Sequence, residues 1–372
     1  MQLFGQAGIT ASSFQAPAAG ATLLYTVAGA GSGYRLGGLG LANSSAKFTA
    51  STVGAGGLKA FVYDITDGSL EYQPAAQYSD GGSGNTAYAS VLDMSEDWTA
   101  IIGPAEDNVF LIDNSDGSVE RIFTSPVSAS GQFGAYEAIG VSDLYTVIGN
   151  STLRKMYFYN NSTGALIATI STPSGSTFVV KTTDTHALYS AAANEVLTVY
   201  DPSDGSSRYT ISNPQYDSSS SFDYFGRYLD VCDDYILASA HLEDKAAANN
   251  VGVAYLFNTS DGSLAQTFVN PINFATQYGF TLAVSNTYTA IGSYYEDPAG
   301  GAVNGYGVVR VYNNSDGSLY ARIDSPVAVG GYFGSQVSLS NTATTSYLVI
   351  GAQFQGVGSQ TSNGIIYTYS LG

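Results

Sequence analysis

Apolar and polar residues alternate along this chain in short runs, each cut off by Gly, Asn, Asp or Ser. Phe61-Val62-Tyr63-Asp64 runs into Ile65-Thr66-Asp67-Gly68-Ser69-Leu70, and the same pattern returns as Phe110-Leu111-Ile112-Asp113-Asn114-Ser115-Asp116-Gly117-Ser118-Val119. Alternation with a period of two predicts strands. Asp and Asn tolerate the tight central positions of a turn, and glycine supplies positive φ, so each copy predicts a β-hairpin closed by a type I turn and a bulge. Further copies lie around Asn161-Ser162-Thr163-Gly164, Pro202-Ser203-Asp204-Gly205, Thr259-Ser260-Asp261-Gly262 and Asn314-Ser315-Asp316-Gly317.

The turn glycines, from Gly68 to Gly317, are spaced 41 to 57 residues apart. A second motif precedes the hairpins. Phe133-Gly134 leads to Gly140-Val141-Ser142-Asp143-Leu144-Tyr145-Thr146-Val147-Ile148-Gly149, and Tyr224-Phe225-Gly226, Tyr278-Gly279 and Phe333-Gly334 open similar stretches. Each reads as two more strands joined by a short turn. Four strands at this period predict an all-β chain, a seven-bladed β-propeller with four antiparallel strands per blade. The last repeat stops at its third strand, Ile365–Tyr369. Leu23–Val27 resembles the strand after each turn, so the N-terminal strand is expected to close the last blade and remove its open edge. Residues 1–20 read as an N-terminal arm and 21–372 as the propeller.

The Phe-Gly pairs, the Val-Ser-Asp-x-Tyr strands and the Gly-x-Val-x-Val-Tyr strands resemble FG-GAP repeats, the blades of integrin α-subunit propellers. The Tyr-Asp-x-x-Asp-Gly-Ser-Leu hairpins also resemble quinoprotein repeats. The first resemblance implies a calcium loop of Asp-x-Asp-x-Asp-Gly form between the first two strands. Here those connections are short, as at Ser142-Asp143-Leu144 and Ser285-Asn286-Thr287, and lack the alternating acids that calcium needs. The second implies many repeat tryptophans, and only Trp98 is present.

A hydrophobic content of 44% supplies a core and excludes wholesale disorder. Twelve Lys and Arg against 30 Asp and Glu give a net charge of −18, which repels nucleic acid and anionic membranes. No apolar run is long enough for a membrane-spanning helix, so no membrane insertion is expected. The start, Met1-Gln2-Leu3-Phe4-Gly5-Gln6, lacks the pattern of a secretory signal. Cys232 has no partner for an internal disulfide and matches Ser142 in the repeat, so it reads as a small core residue. His186 and Trp98 stand at the position of Tyr145, Tyr235 and Tyr288, and read as structural. The Gly-rich stretch Gly29–Gly40 lacks the Lys-Ser/Thr ending of a phosphate loop. No catalytic residue, cofactor or metal is expected.

Loop length breaks the symmetry. Blades five to seven carry long connections between second and third strands, at His241–Asn250, Ser293–Gly305 and Ala352–Gly364, while blades two to four have almost none. These loops must emerge on the face opposite the Asp-Gly-Ser turns. Loops on a rigid scaffold concentrate binding residues. The expected binding residues are His241, Glu243 and Asp244, then Tyr294, Tyr295, Glu296 and Asp297, then Gln353, Phe354 and Gln355. Drift in loop length would produce the same asymmetry without a function.

The expected role is a non-enzymatic structural or adhesive module acting outside a cell. The missing signal pattern points to a phage virion component, at a tail, fibre or nozzle. Its partners would be other protein subunits of an assembly, or a host-surface protein or glycan. Two alternatives stay open: a secreted or cell-surface FG-GAP adhesin, and a glycan lyase or hydrolase with convergent carboxylates on the loop face.

Overall fold

The computed structural model describes residues 20–29, 35–36, 41–52, 59–74, 92–103, 108–127, 133–134, 137–173, 179–215, 223–244, 249–272, 274–297, 305–327, 330–341, 345–356 and 363–372. They form seven antiparallel sheets of four strands, arranged as a seven-bladed β-propeller. The innermost strands are Leu41–Asn43, Leu92–Met94, Ile139–Val141, Val179–Thr182, Leu229–Val231, Thr281–Val284 and Phe333–Asn341. Together they line a central channel with a cavity of about 290 Å³.

Middle strands such as Tyr145–Asn150 and Lys155–Asn160 are buried almost throughout, because a neighbouring blade covers each face of the sheet. The outer strand Leu166–Ser171 is exposed or half-buried along its whole length, as its place on the rim requires. The core therefore lies between blades. Phe123, Phe133, Val141 and Tyr157 pack between the second and third blades, and Val309, Ile323, Phe333 and Leu348 between the sixth and seventh.

The ring closes as the repeat predicts. Ala21–Ala28 pairs antiparallel with Ile365–Leu371, with Ala21 opposite Leu371 and Ala28 opposite Ile365. Tyr320 of the sixth blade pins both ends of this seam. Its hydroxyl donates to the Gly20 carbonyl at 2.8 Å and accepts from the Gly372 N–H at 3.1 Å. The expected N-terminal arm lies outside the described residues, apart from Gly20.

The hairpin turns have two requirements for glycine. Gly68 and Gly262 have φ of 74° and 72°, a region that L residues enter at a cost. In addition, the outer strand of the preceding blade lays a side chain over each. The Tyr25 ring lies 2.5 Å from where a Cβ on Gly68 would sit, and the Tyr209 ring 2.8 Å from one on Gly262. The turn is thus also a joint between blades.

A buried asparagine completes the blade. The Oδ1 atoms of Asn114, Asn161 and Asn314 accept from Thr99, Thr146 and Thr289 at 2.6, 2.6 and 2.8 Å. Their amides donate to the carbonyls of Ser95, Ser142 and Ser285 at 3.0, 2.8 and 2.7 Å. In the first blade Ile65 takes this place, and the buried Thr49 hydroxyl is left without a hydrogen bond.

Candidate functional site

The loop face is built on the Phe-Gly motif. Phe225, Tyr278 and Phe333 are fully buried. The glycine after each, at φ near 80°, leaves room for Ser190, Ser239 or Val309 of the preceding blade. The residue before each aromatic, Tyr224, Gln277 or Tyr332, is left-handed at φ 57°, 59° and 52°. That backbone turns the chain out onto the face and presents these side chains there. The loops of blades five to seven are tied to the same segments, since the N–H groups of Leu242, Tyr295 and Phe354 donate to the carbonyls of Asp223, Thr276 and Gly331.

The ten expected binding residues fall into repeat positions that behave differently. The third residue after the second strand turns inward in every long-loop blade. Glu243, Glu296 and Gln355 are 4%, 0% and 5% exposed. Each takes up its loop base: the N–H donates to the carbonyl of Ala240, Ser293 or Ala352, and the carbonyl accepts from Gly252, Gly307 or Gly364. Each side chain then fastens to the third residue of the following strand. Tyr255 donates to Glu243 at 2.7 Å, Tyr367 to Gln355 at 2.8 Å, and Arg310 holds Glu296 through two bonds of 2.6 and 2.5 Å. Glu195 of the fourth blade is also buried, but its carboxylate accepts instead from Asn213 and from the N–H groups of Tyr224 and Phe225. These residues shape the loop base rather than its surface.

His241 is also buried, with its ring against Tyr224, Tyr228 and Phe280 at 6.0, 5.0 and 6.2 Å. Burial, with Arg227 nearby, pushes its pKa down to about 4. Burial pushes the Glu243 carboxyl up to about 7, against the pull of the Tyr255 hydroxyl. Asp244 is exposed and accepts from the Asn250 N–H at 2.8 Å, closing its own loop. Asp297 and Gln353 are half-buried. Residues 245–248, 298–304 and 357–362 of the three loops, and most of Gly29–Gly40, lie outside the described residues.

Tyr294, Tyr295 and Phe354 are half-buried and belong to a larger group that the sequence did not reveal as one. From the channel mouth outward, ring centroids follow one another at 4.4 Å (Tyr228 to Phe280), 4.8 Å (Phe280 to Tyr294), 5.6 Å (Tyr294 to Tyr332) and 4.9 Å (Tyr332 to Phe354). Tyr295 flanks Tyr294 and Tyr332 at 4.5 and 5.4 Å. An arginine lies over the ring at each end, Arg227 on Tyr228 at 4.8 Å and Arg35 on Phe354 at 4.6 Å. The result is a continuous aromatic arc across blades five to seven. The loop lengths pointed to Tyr294, Tyr295 and Phe354. Tyr228, Phe280 and Tyr332 lie beside the Phe-Gly motif, which is the signal that would have found them.

The arc meets a polar channel. Lys181 Nζ pairs with Asp93 Oδ1 at 3.0 Å, and Arg227 with Glu137 at 3.2 Å. Burial acts to lower the Lys181 pKa, but Asp93 and Asp230 outweigh it and hold it above the ordinary lysine value. Burial raises Asp230 to about 6 despite Lys181. Asp93 and Asp230 also accept the N–H groups of Val141 and Val284 at 3.0 and 2.8 Å, stitching each blade to the next. At the far mouth Glu96, Asp143 and Asp184 accept from the N–H groups of Ser45, Asp97 and Leu144 in the preceding blades. The acids there hold the ring together. Trp98 joins them, donating its indole N–H to the Asp143 carbonyl at 3.0 Å.

No protein-family model matches the chain, and no curated protein matches it. The solved structure of U3-55K superposes on it with a TM-score of 0.59, over 95% of this chain and 99% of that one, at 11% identity. At that identity the likeness is one of fold, so the chain is similar to U3-55K in its architecture.

Proposed function

We propose that this protein is a non-enzymatic binding module of FG-GAP type that works outside a cell, as a virion component such as a phage tail, fibre or nozzle protein. The observation that carries the binding reading is the aromatic arc. Half-buried tyrosine and phenylalanine rings, already packed in place, offer large contact area at low entropic cost. The opposite face carries repeated turns whose acids are spent within the turn, as Asp116 and Asp316 are, or on the neighbouring blade, as Asp143 and Asp184 are.

The carboxylates support a binder over a glycosidase. Glu195, Asp223 and Glu243 lie together, and the first two add to the rise that burial gives the Glu243 carboxyl, which is the pattern an acid–base pair would show. They are 3%, 6% and 4% exposed, however, and Glu195 and Glu243 are engaged by protein donors. A substrate has no access to them. The virion assignment rests on the low-lysine, Tyr- and Ser-rich composition.

The test is a triple substitution, Tyr294→Ala, Tyr295→Ala and Phe354→Ala, against a control with Ser118, Ser263 and Ser318 changed to Ala on the turn face. The arc variant should lose about tenfold or more in binding to host-cell surfaces or in assembly with virion proteins, with its melting transition retained. Loss in the control alone would place the working face on the other side.

A further inference from the structure

We infer that the aromatic arc takes a neutral, hexose-based glycan chain, laid from the channel mouth toward the rim across blades five to seven. The inference rests on the binding reading above and names the ligand class for that site.

The rings suit the apolar C–H faces of pyranose sugars. Phe280 on Tyr294, Tyr294 on Tyr332 and Tyr332 on Phe354 meet edge to face, at 74°, 89° and 75°. This geometry fixes each ring without burying it, since all four stay half-exposed. Burial raises the hydroxyl pKa of Tyr228 and Tyr294 above the ordinary tyrosine value, so both remain neutral hydrogen-bonding groups.

Three glutamines lie on the segments that carry the rings or line the adjoining channel. Gln353 adjoins Phe354, Gln277 lies three residues before Phe280, and Gln336 lines the channel with Tyr228 and Phe280. Among the described residues no hydrogen bond holds these three side-chain amides. Each offers two donors and an acceptor. A sugar hydroxyl both donates and accepts, so such amides match it, while an ion would call for charge.

Much of the charge along the strip is engaged within the protein. Glu296 is locked by Arg310, Glu243 bonds Tyr255, and Arg227 pairs with Glu137. A cationic ligand finds no open carboxylate among these, and the net charge of −18 works against a polyanion. A protein partner calls for a broad patch with a fully desolvated centre. These rings form a strip ending at arginines, which fits a linear chain better.

Tyr332 carries its ring on the left-handed backbone that this repeat position adopts. Asn or Gly takes a left-handed backbone more easily than a bulky residue, yet Tyr stands there at φ 52°.

The experiment is binding of the full chain to an array of neutral cello-, malto-, manno- and galacto-oligosaccharides, printed beside polyuronate and sulfated glycans. Titration calorimetry on the best hit then compares the parent with Tyr332→Asn, Phe280→Ala and Gln353→Ala. At least one neutral series should bind. Tyr332→Asn and Phe280→Ala should weaken it by about tenfold or more, and Gln353→Ala by a smaller factor. Tyr332→Asn should keep its melting transition, because Asn accepts that backbone. Binding to anionic glycans alone, or to no glycan while the arc variants still lose a protein partner, overturns the glycan assignment and leaves the binding face standing. Binding of any kind that all three variants leave unchanged overturns both.

Discussion

Replacing Arg310 by Ala should destabilise the fold without touching the binding surface. Glu296 is 0% exposed and Arg310 is 3% exposed, and the two meet through paired bonds of 2.6 and 2.5 Å. Removing one member of such a pair strands a buried charge, at a cost of about 3–5 kcal/mol. Arg322 lies 3.6 Å from the same carboxylate but is drawn off by Asp324 at 2.8 Å, so it offsets only part of the loss. Unfolding entropy near 2.1 cal/mol/K per residue gives this chain roughly 0.8 kcal/mol/K, so the substitution should lower the melting temperature by about 4–6 °C. The repeat supplies its own rescue. Blade seven fills the same two positions with Gln355 and Tyr367, bonded at 2.8 Å. The double variant Glu296→Gln with Arg310→Tyr copies that pair, exchanges the ion pair for a neutral hydrogen bond, and should recover most of the loss. Scanning calorimetry of the parent, the single and the double variant decides the matter. An unchanged melting temperature for Arg310→Ala, or a double variant at least as unstable as the single, refutes the inward clasp and returns Glu296 to the surface.

Three further outcomes follow from the geometry. Deleting residues 1–28 removes the strand paired with Ile365–Leu371 and opens an edge, so the product should aggregate or unfold without cooperativity; a soluble monomer melting like the parent would count against closure. The short inner turns lack an oxygen-rich loop, so EDTA should leave the melting temperature unchanged, and a large drop restored by calcium would refute that expectation. Glu243, raised to about 7 by burial, favours the folded state while protonated; that contribution is complete below the ordinary Glu value and is lost as pH rises through about 7. His241, lowered to about 4, acts oppositely but is common to both proteins. Glu243→Gln should therefore gain on the parent in melting temperature between about pH 5 and about pH 8, and a constant difference would refute the buried, protonated Glu243.

The repeat made the architecture legible because its signals are local. Alternation sets strands, and Asp-Gly-Ser sets the turn through two or three residues whose backbone preferences hold in any context. Counting turns and noticing a missing outer strand was then enough to place Leu23–Val27 beside Ile365–Tyr369. Loop length also led to the face that carries the arc and to three of its rings, Tyr294, Tyr295 and Phe354.

What the sequence left undecided was the direction of side chains outside regular strands. Glu243, Glu296 and Gln355 sit on loops and are polar, which locally reads as exposed. They face inward because the loop base bends back on Ala240, Ser293 and Ala352 and aims each one at Tyr255, Arg310 or Tyr367. The arc likewise joins residues from separate repeats, Tyr228, Phe280, Tyr294, Tyr332 and Phe354. No periodicity along one strand links them, since their neighbourhood exists only once blades five, six and seven stand side by side. Local backbone chemistry thus determined the blades and their number, while packing between blades decided which side chains became scaffold and which became surface.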